Sequence, residues 1–188
     1  MPTLVSVPTL RQEEGTALAG VPDEYRHYFS GRPSVPFTKR HWEFPGTASS
    51  VPLARAFLDT CAAGRDSDFR YVFSLLGTEL ATNAIRHSRS GEDGQTFVLR
   101  ATRGTNGLTL VCRDGGRPTH LLRETSQNEA TTLRPTPMEG ERLTAENGRG
   151  LALVDSFATA WGDNGHPSIR KVWFYLAFDL TGSSWPAA

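Results

Sequence analysis

The feature that most constrains this chain is a change of hydrophobic period near Gly94. Before it, Phe69, Val72, Phe73, Leu76, Leu80 and Ala84 recur at three- and four-residue intervals, the pattern of a helix with one buried stripe. After it, Phe97, Leu99 and Ala101 alternate with their neighbours, and Leu108, Leu110 and Cys112 do the same, the pattern of strands buried on one face. Asn106-Gly107 between these segments marks a hairpin, so the two strands are expected to be antiparallel.

The helix also carries chemistry. Glu79, Asn83 and His87 follow one another at four-residue steps, so a carboxylate, an amide and an imidazole rise along a stripe beside the buried one. Such a ladder suggests a site at a sheet edge, although on its own it is equally a solvated face. Two later features bear on it. Asp114-Gly115-Gly116 stands at a strand end, where adjacent glycines let the backbone turn sharply and approach a ligand. Gly148-Arg149-Gly150-Leu151 then opens a helix with Leu151, Val154, Phe157 and Ala158 on its buried side. Unpaired amides at such a start attract phosphate, yet a lone Gly-x-Gly is also an ordinary loop-to-helix junction.

The remaining chain fits around these points. Residues 1–36 hold five prolines and three glycines and read as an N-terminal arm, partly disordered, with a short helix over 23–29 whose aromatics dock on the domain. A strand is expected over 37–44. Ser49 or Ser50 then caps a helix running to about Ala63, with Pro52 in its first turn and Leu53, Ala56, Phe57 and Thr60 facing inward. Residues 64–68 break that helix and cap the next. The polar stretch 117–147 exceeds the usual connection of roughly 12 to 15 residues and reads as a lid. A short strand over 158–162 and a strong one over 171–179 close the domain, with Val172, Phe174, Leu176 and Phe178 inward and Trp173 and Tyr175 outward as packing residues. Residues 181–188 read as a flexible tail.

Composition narrows the function classes. With 188 residues, 38% of them hydrophobic, the chain suffices for one well-buried domain with appendages, here 37–180. Twenty Lys and Arg balance twenty Asp and Glu, which leaves no global field for nucleic acid or an anionic membrane. Two isolated cysteines suit neither a disulfide framework nor a metal site. No basic leader and no run of roughly 18 apolar residues is present, so a soluble, cytoplasmic protein is expected.

Glu79-x-x-x-Asn83, Asp114-Gly115-Gly116, a lid and Gly148-x-Gly150 arrive in an order and spacing that resemble the GHKL ATPases: gyrase, heat-shock chaperone, histidine kinase and mismatch-repair proteins. Within them the chain is most similar to the small anti-sigma-factor serine/threonine kinases of bacteria, over about residues 38–180. The resemblance implies an α/β two-layer sandwich with a mixed, mostly antiparallel sheet, helices on one face, and ATP between helices and lid. It implies that Asn83 ligates Mg²⁺ and that Glu79 is the general base. Asp114 would accept from the adenine amine, Gly116 would let the backbone pass the base, and Gly148, Gly150 and Leu151 would present amides to the phosphates. Arg149 would neutralise γ-phosphate charge or point outward as a surface residue. His87 would bond backbone at the helix end rather than act on phosphate.

The chain departs from the broader pattern in one place: Asp114-Gly115-Gly116-Arg117-Pro118 lacks the last glycine of Asp-x-Gly-x-Gly, which bears on lid geometry more than on adenine binding. No phosphoacceptor helix or membrane sensor precedes the domain, which speaks against a two-component sensor kinase. Two function classes follow. One is a kinase that moves the ATP γ-phosphoryl group to a Ser or Thr of a protein partner, an anti-sigma antagonist, in transcription regulation. The other is a nucleotide-gated module that holds a sigma factor or another regulator with little catalysis. Neither requires direct nucleic-acid or membrane contact, and small kinases of this type are often homodimers.

Overall fold

The computed structural model describes residues 18, 20–32, 36–117, 133–134 and 149–186, with Arg149 described by its backbone alone. Five strands, β1 (Lys39–Pro45), β2 (Thr96–Arg103), β3 (Gly107–Asp114), β4 (Ala160–Asp163) and β5 (Arg170–Ala177), form one sheet in the order β1-β2-β3-β5-β4. Every neighbouring pair is antiparallel. The mixed sheet expected from the sequence is thus corrected among the described residues. β3 and β4 do point the same way, but β5 lies between them and converts what would be a parallel ladder into two antiparallel ones.

Three helices, α1 (Val51–Ala62), α2 (Ser67–His87) and α3 (Arg149–Phe157), share one core with the inward side chains of the sheet. Phe97, Leu99, Leu108, Leu110, Phe174 and Leu176 form its floor. The structure is therefore a two-layer α+β sandwich. α2 begins where expected: Asp66 is its N-cap, and the carboxylate accepts from the Phe69 N–H at 2.8 Å. All six residues of its predicted stripe are buried. Gly77 allows this, since a Cβ there would come within 2.5 Å of Leu58 and 3.0 Å of Leu110. The missing side chain lets α2 sink between α1 and β3.

α1 differs from expectation at both its start and its face. Ser50 is the N-cap residue, as one of the two expected serines, but its side chain makes no capping hydrogen bond; Ala48–Ser50 form a 3-10 turn leading into the helix, and the Ser49 hydroxyl is engaged with that of Thr47 at 2.8 Å. Ala54, Phe57, Leu58 and Cys61 are fully buried, whereas Leu53 and Ala56 are only half-buried. The N-terminal 3-10 helix Asp23–Phe29 docks beside α1 with Phe29 against Trp42 and Phe57, ring centroids 5.3 and 6.1 Å away. Residues 1–17, 19 and 33–35 of the expected arm lie outside the described residues.

The β2–β3 hairpin forms with Arg103 opposite Leu108, so Thr105-Asn106 occupies the tip. Asn106 has no positive φ, so this is not the primed turn that an Asn-Gly pair signals. Gly107 is needed for another reason: a Cβ would lie 2.5 Å from the Tyr175 ring. At the other end of the chain the expected flexible tail packs instead through residue 186. Trp185 sits between Tyr71 and Phe157, centroids 5.2 and 5.4 Å away, and the Ser184 N–H donates to the Ser156 carbonyl at 2.9 Å. No described helix is long and apolar enough to cross a membrane.

Candidate nucleotide site

The last turns of α2, the end of β3, the start of α3 and the start of β5 surround a cavity of about 210 Å³. Its position follows from the sheet order. Asp114 ends β3 opposite Arg170, the first residue of β5, so a carboxylate and a guanidinium arrive together at one sheet edge. Leu80, Cys112, Leu151 and Val172 give the cavity apolar walls, and Asn83, His87, Asp114 and three arginines supply polarity.

Asp114 dominates the inner end. Burial pushes its carboxyl up to about 6, against the Gly116 N–H at 2.7 Å, the Arg170 charge and the Ser88 hydroxyl, which all favour the anion. Beneath it, burial followed by the Asp114 charge holds the Cys112 thiol well above its usual range, so this cysteine is a wall and not a nucleophile. Cys61 is likewise buried and reduced, its thiol raised to about 12 by burial and only partly offset by the Arg40 charge.

The turn after Asp114 is possible only with glycine. Gly116 has φ of 73°, and a Cβ would lie 2.1 Å from the Pro167 carbonyl oxygen. It is also braced from residues the sequence did not single out. Arg89 donates from Nε to the Gly115 carbonyl at 2.8 Å and from a terminal nitrogen to the Ser168 carbonyl at 3.2 Å. Its own N–H donates to the Gly116 carbonyl at 3.1 Å. The Ser90 hydroxyl accepts from the Gly115 N–H at 2.9 Å and donates to the Thr96 carbonyl at 2.7 Å. The loop that carries the carboxylate is held on both sides.

The outer end is built by α2 and α3. A Cβ on Gly150 would lie 2.7 Å from Glu79 Oε2 and 3.1 Å from the Asn83 amide nitrogen. The two side chains of the polar ladder therefore lie directly under the first turn of α3, and a side chain at position 150 would push their polar ends aside. Gly148 and the Arg149 side chain are outside the described residues, as is most of the stretch expected to be a lid. Within that stretch Leu133 and Arg134 line the cavity, and the Leu133 N–H donates to Asp163 at 3.0 Å.

His87 does not bond backbone at the helix end as expected. Among the described residues it makes no hydrogen bond and lines the cavity; the side-chain bond to backbone at this helix end is made by the Ser88 hydroxyl, which donates to the Ala84 carbonyl at 2.7 Å. Arg117, Arg134 and Arg170 make the cavity cationic except at Asp114. A small, partly open pocket with one carboxylate at its inner end and arginines around it suits a ligand with a hydrogen-bond-donating base and an anionic tail.

A sequence profile of the histidine kinase-like ATPase domain matches residues 44–165, from the end of β1 past β4. The chain belongs to this family. The match takes in Glu79, Asn83, Asp114, Gly116 and Gly150, the residues that the fold gathers around the cavity. Comparison with curated proteins finds no match. As an ATPase domain of this kind the chain is an ATP-binding protein, and the cavity is the place its geometry offers for the nucleotide. Asp163 is inside the matched span, whereas Arg170 and Val172 on β5 complete the cavity from beyond it.

Proposed function

We propose that this ATPase domain is a cytoplasmic serine/threonine protein kinase of the anti-sigma type, which transfers the ATP γ-phosphoryl group to a hydroxyl of a protein partner in bacterial transcription regulation. The observation that carries the proposal is the seating of Glu79 Oε2 and the Asn83 amide beneath Gly150, at the amide-rich start of α3. Adenine is held by Asp114, with Gly116 clearing space for the base, and the phosphates run toward the first turn of α3, where the amides of Arg149, Gly150 and Leu151 carry partial positive charge. Glu79 removes the proton of the attacking hydroxyl as its oxygen bonds to the γ-phosphorus and the bond to the ADP oxygen breaks.

Asn83 provides one neutral oxygen. Among the described residues no group of three or more His, Cys, Asp or Glu could hold a metal alone. One amide oxygen supplemented by phosphate oxygens and water is a donor set that suits Mg²⁺, which when bound neutralises phosphate charge. The partner is an anti-sigma antagonist or a sigma factor, nucleic acid is not contacted directly, and the kinase works as a homodimer.

The test is calorimetric titration of ATP with and without Mg²⁺ into the wild-type chain, Asn83→Ala and Glu79→Gln, followed by transfer of radiolabelled γ-phosphate to candidate antagonists. Mg²⁺-dependent binding weakened by Asn83→Ala, with transfer lost in Glu79→Gln but ATP retained, supports the kinase. If ATP binds but the wild-type chain transfers no phosphate to any candidate, the chain is a nucleotide-gated binding module, and transfer that persists in Glu79→Gln refutes Glu79 as the base. Absence of ATP binding overturns both.

A further inference from the structure

The sheet has a second face, which no described helix covers, and its chemistry differs from that of the chain as a whole. Along five strands the outward positions carry four permanent cations, Lys39, Arg100, Arg113 and Lys171, against one carboxylate, Glu43. Positive and negative residues are equal in number over the whole sequence, so charge has been sorted onto this surface. Glu43 is already engaged by the Thr96 hydroxyl. Arg100, Arg113 and Lys171 are all exposed and form no ion pair among the described residues.

The register concentrates these charges. Arg113 on β3 stands directly opposite Lys171 on β5, and Arg100 on β2 pairs with Val111, two residues from Arg113. Like charges directly opposite one another destabilise a sheet, so the fold carries an electrostatic cost that an incoming anion would relieve. Between the cations, half-buried Val98 and Val111 form an apolar strip. Tyr25 and Tyr28 of the N-terminal 3-10 helix wall one side of the resulting open groove of about 770 Å³.

We propose that this groove docks an extended acidic segment of a protein partner, with its carboxylates on Arg100, Arg113 and Lys171 and alternate apolar side chains on Val98 and Val111. Two observations favour a peptide over a nucleic acid. The large aromatics of the face and of the groove wall are spent on packing: the Trp173 ring lies over Gly162 and the Tyr175 ring over Gly107, where added Cβ atoms would meet them at 3.1 and 2.5 Å, and Tyr25 and Tyr28 pack against each other and against Trp42. They do not stand free as stacking platforms for bases. A floor of valines suits aliphatic side chains instead. A second copy of the same face is disfavoured, since a two-fold contact would press like charges together. The groove lies on the opposite side of the sheet from the nucleotide cavity, and this proposal does not depend on catalysis.

The experiment uses the full chain and fluorescein-labelled decapeptide pools in which Asp or Glu alternates with Leu or Val, with Lys-Leu pools and a single-stranded oligonucleotide as comparators, read by fluorescence polarisation. Acidic pools should bind best, and affinity should fall at least about tenfold in Arg100→Glu and Arg113→Glu and again in about 0.5 M NaCl. Arg113→Glu faces Lys171 with the opposite charge, so it should unfold at an equal or higher temperature than wild type while losing binding. Nucleotide affinity of both variants should stay unchanged. Equal binding of acidic and Lys-Leu pools, or charge reversals without effect, overturns the proposal. So does Arg113-dependent binding of the oligonucleotide alone. If deletion of residues 1–17, which include Glu13 and Glu14, is what first exposes the groove, the occupant is this chain's own segment and the proposal also fails.

Discussion

Lowering the pH from 7.5 to 5 should weaken binding of an adenine nucleoside through Asp114. Its carboxyl is raised to about 6, mainly by burial. Only the ionised form is a full acceptor for an adenine amine, so affinity should be flat above pH 7 and fall toward tenfold per unit below 6. At pH 5 roughly one molecule in eleven carries the anion, a loss of about 1.4 kcal/mol. Stability of the empty protein should move the other way. A carboxyl raised from 3.8 to about 6 means that the folded chain binds more protons than the unfolded chain in that window. Stability therefore falls as pH rises from 4 to 6, by about 3 kcal/mol at most. The assay is calorimetric titration of adenosine, which has no titrating phosphate, in two buffers of different ionisation enthalpy, with a parallel series of urea melts. Near pH 6 binding should release about half a proton. His87, also at the cavity, is controlled by repeating the series in His87→Gln, and Asp114→Asn should abolish the pH dependence. Adenosine affinity that is level from pH 7.5 to 5, with no proton released, would refute the assignment of Asp114 to the base.

Other perturbations test the frame of the site. Arg89→Ala removes the donors to two carbonyls that fix the Gly115-Gly116 turn and should weaken ATP binding by about 1.5–3 kcal/mol, measured calorimetrically, with Arg89→Lys in between. Gly150→Ala places a methyl group against two flexible side-chain ends, so its melting point should change by less than the equivalent of about 1 kcal/mol. The same change should reduce ATP turnover by at least about tenfold, because Glu79 and Asn83 must move aside. Trp185→Ala should cost about 1–2 kcal/mol in a denaturant melt and open the C-terminal segment to proteolysis, since the indole bridges Tyr71 on α2 and Phe157 on α3.

Hydrophobic period alone located α2, β2, β3 and β5, because each has one face in a single core and the period is a direct record of that burial. The same logic brought Glu79 and Asn83 to one stripe, and the glycines at 116 and 150 marked backbone that had to come close to something. What stayed hidden depends on partners far away in sequence. Arg89 reaches a carbonyl 26 residues on and another 79 residues on, and no local spacing encodes either contact. The cationic face was invisible for a related reason: Arg100, Arg113 and Lys171 converge only once register is known, while the composition averages to zero. The serines before α1 misled because a 3-10 turn satisfied that end without their hydroxyls. The C-terminal residues misled because a single tryptophan among small polar neighbours was enough to anchor them.

The position of β5 has a consequence for how the protein comes into being. It is the last strand in the chain, yet it lies inside the sheet, between β3 and β4. Until residues 170–177 leave the ribosome, β3 exposes an unpaired edge and Asp114 lacks its cross-strand arginine. A nascent chain that stops at residue 165 would hold every residue matched by the family profile and still have a sheet split in two. Nucleotide binding should therefore switch on late in synthesis and abruptly, with chains truncated before β5 prone to pair their open edges with one another.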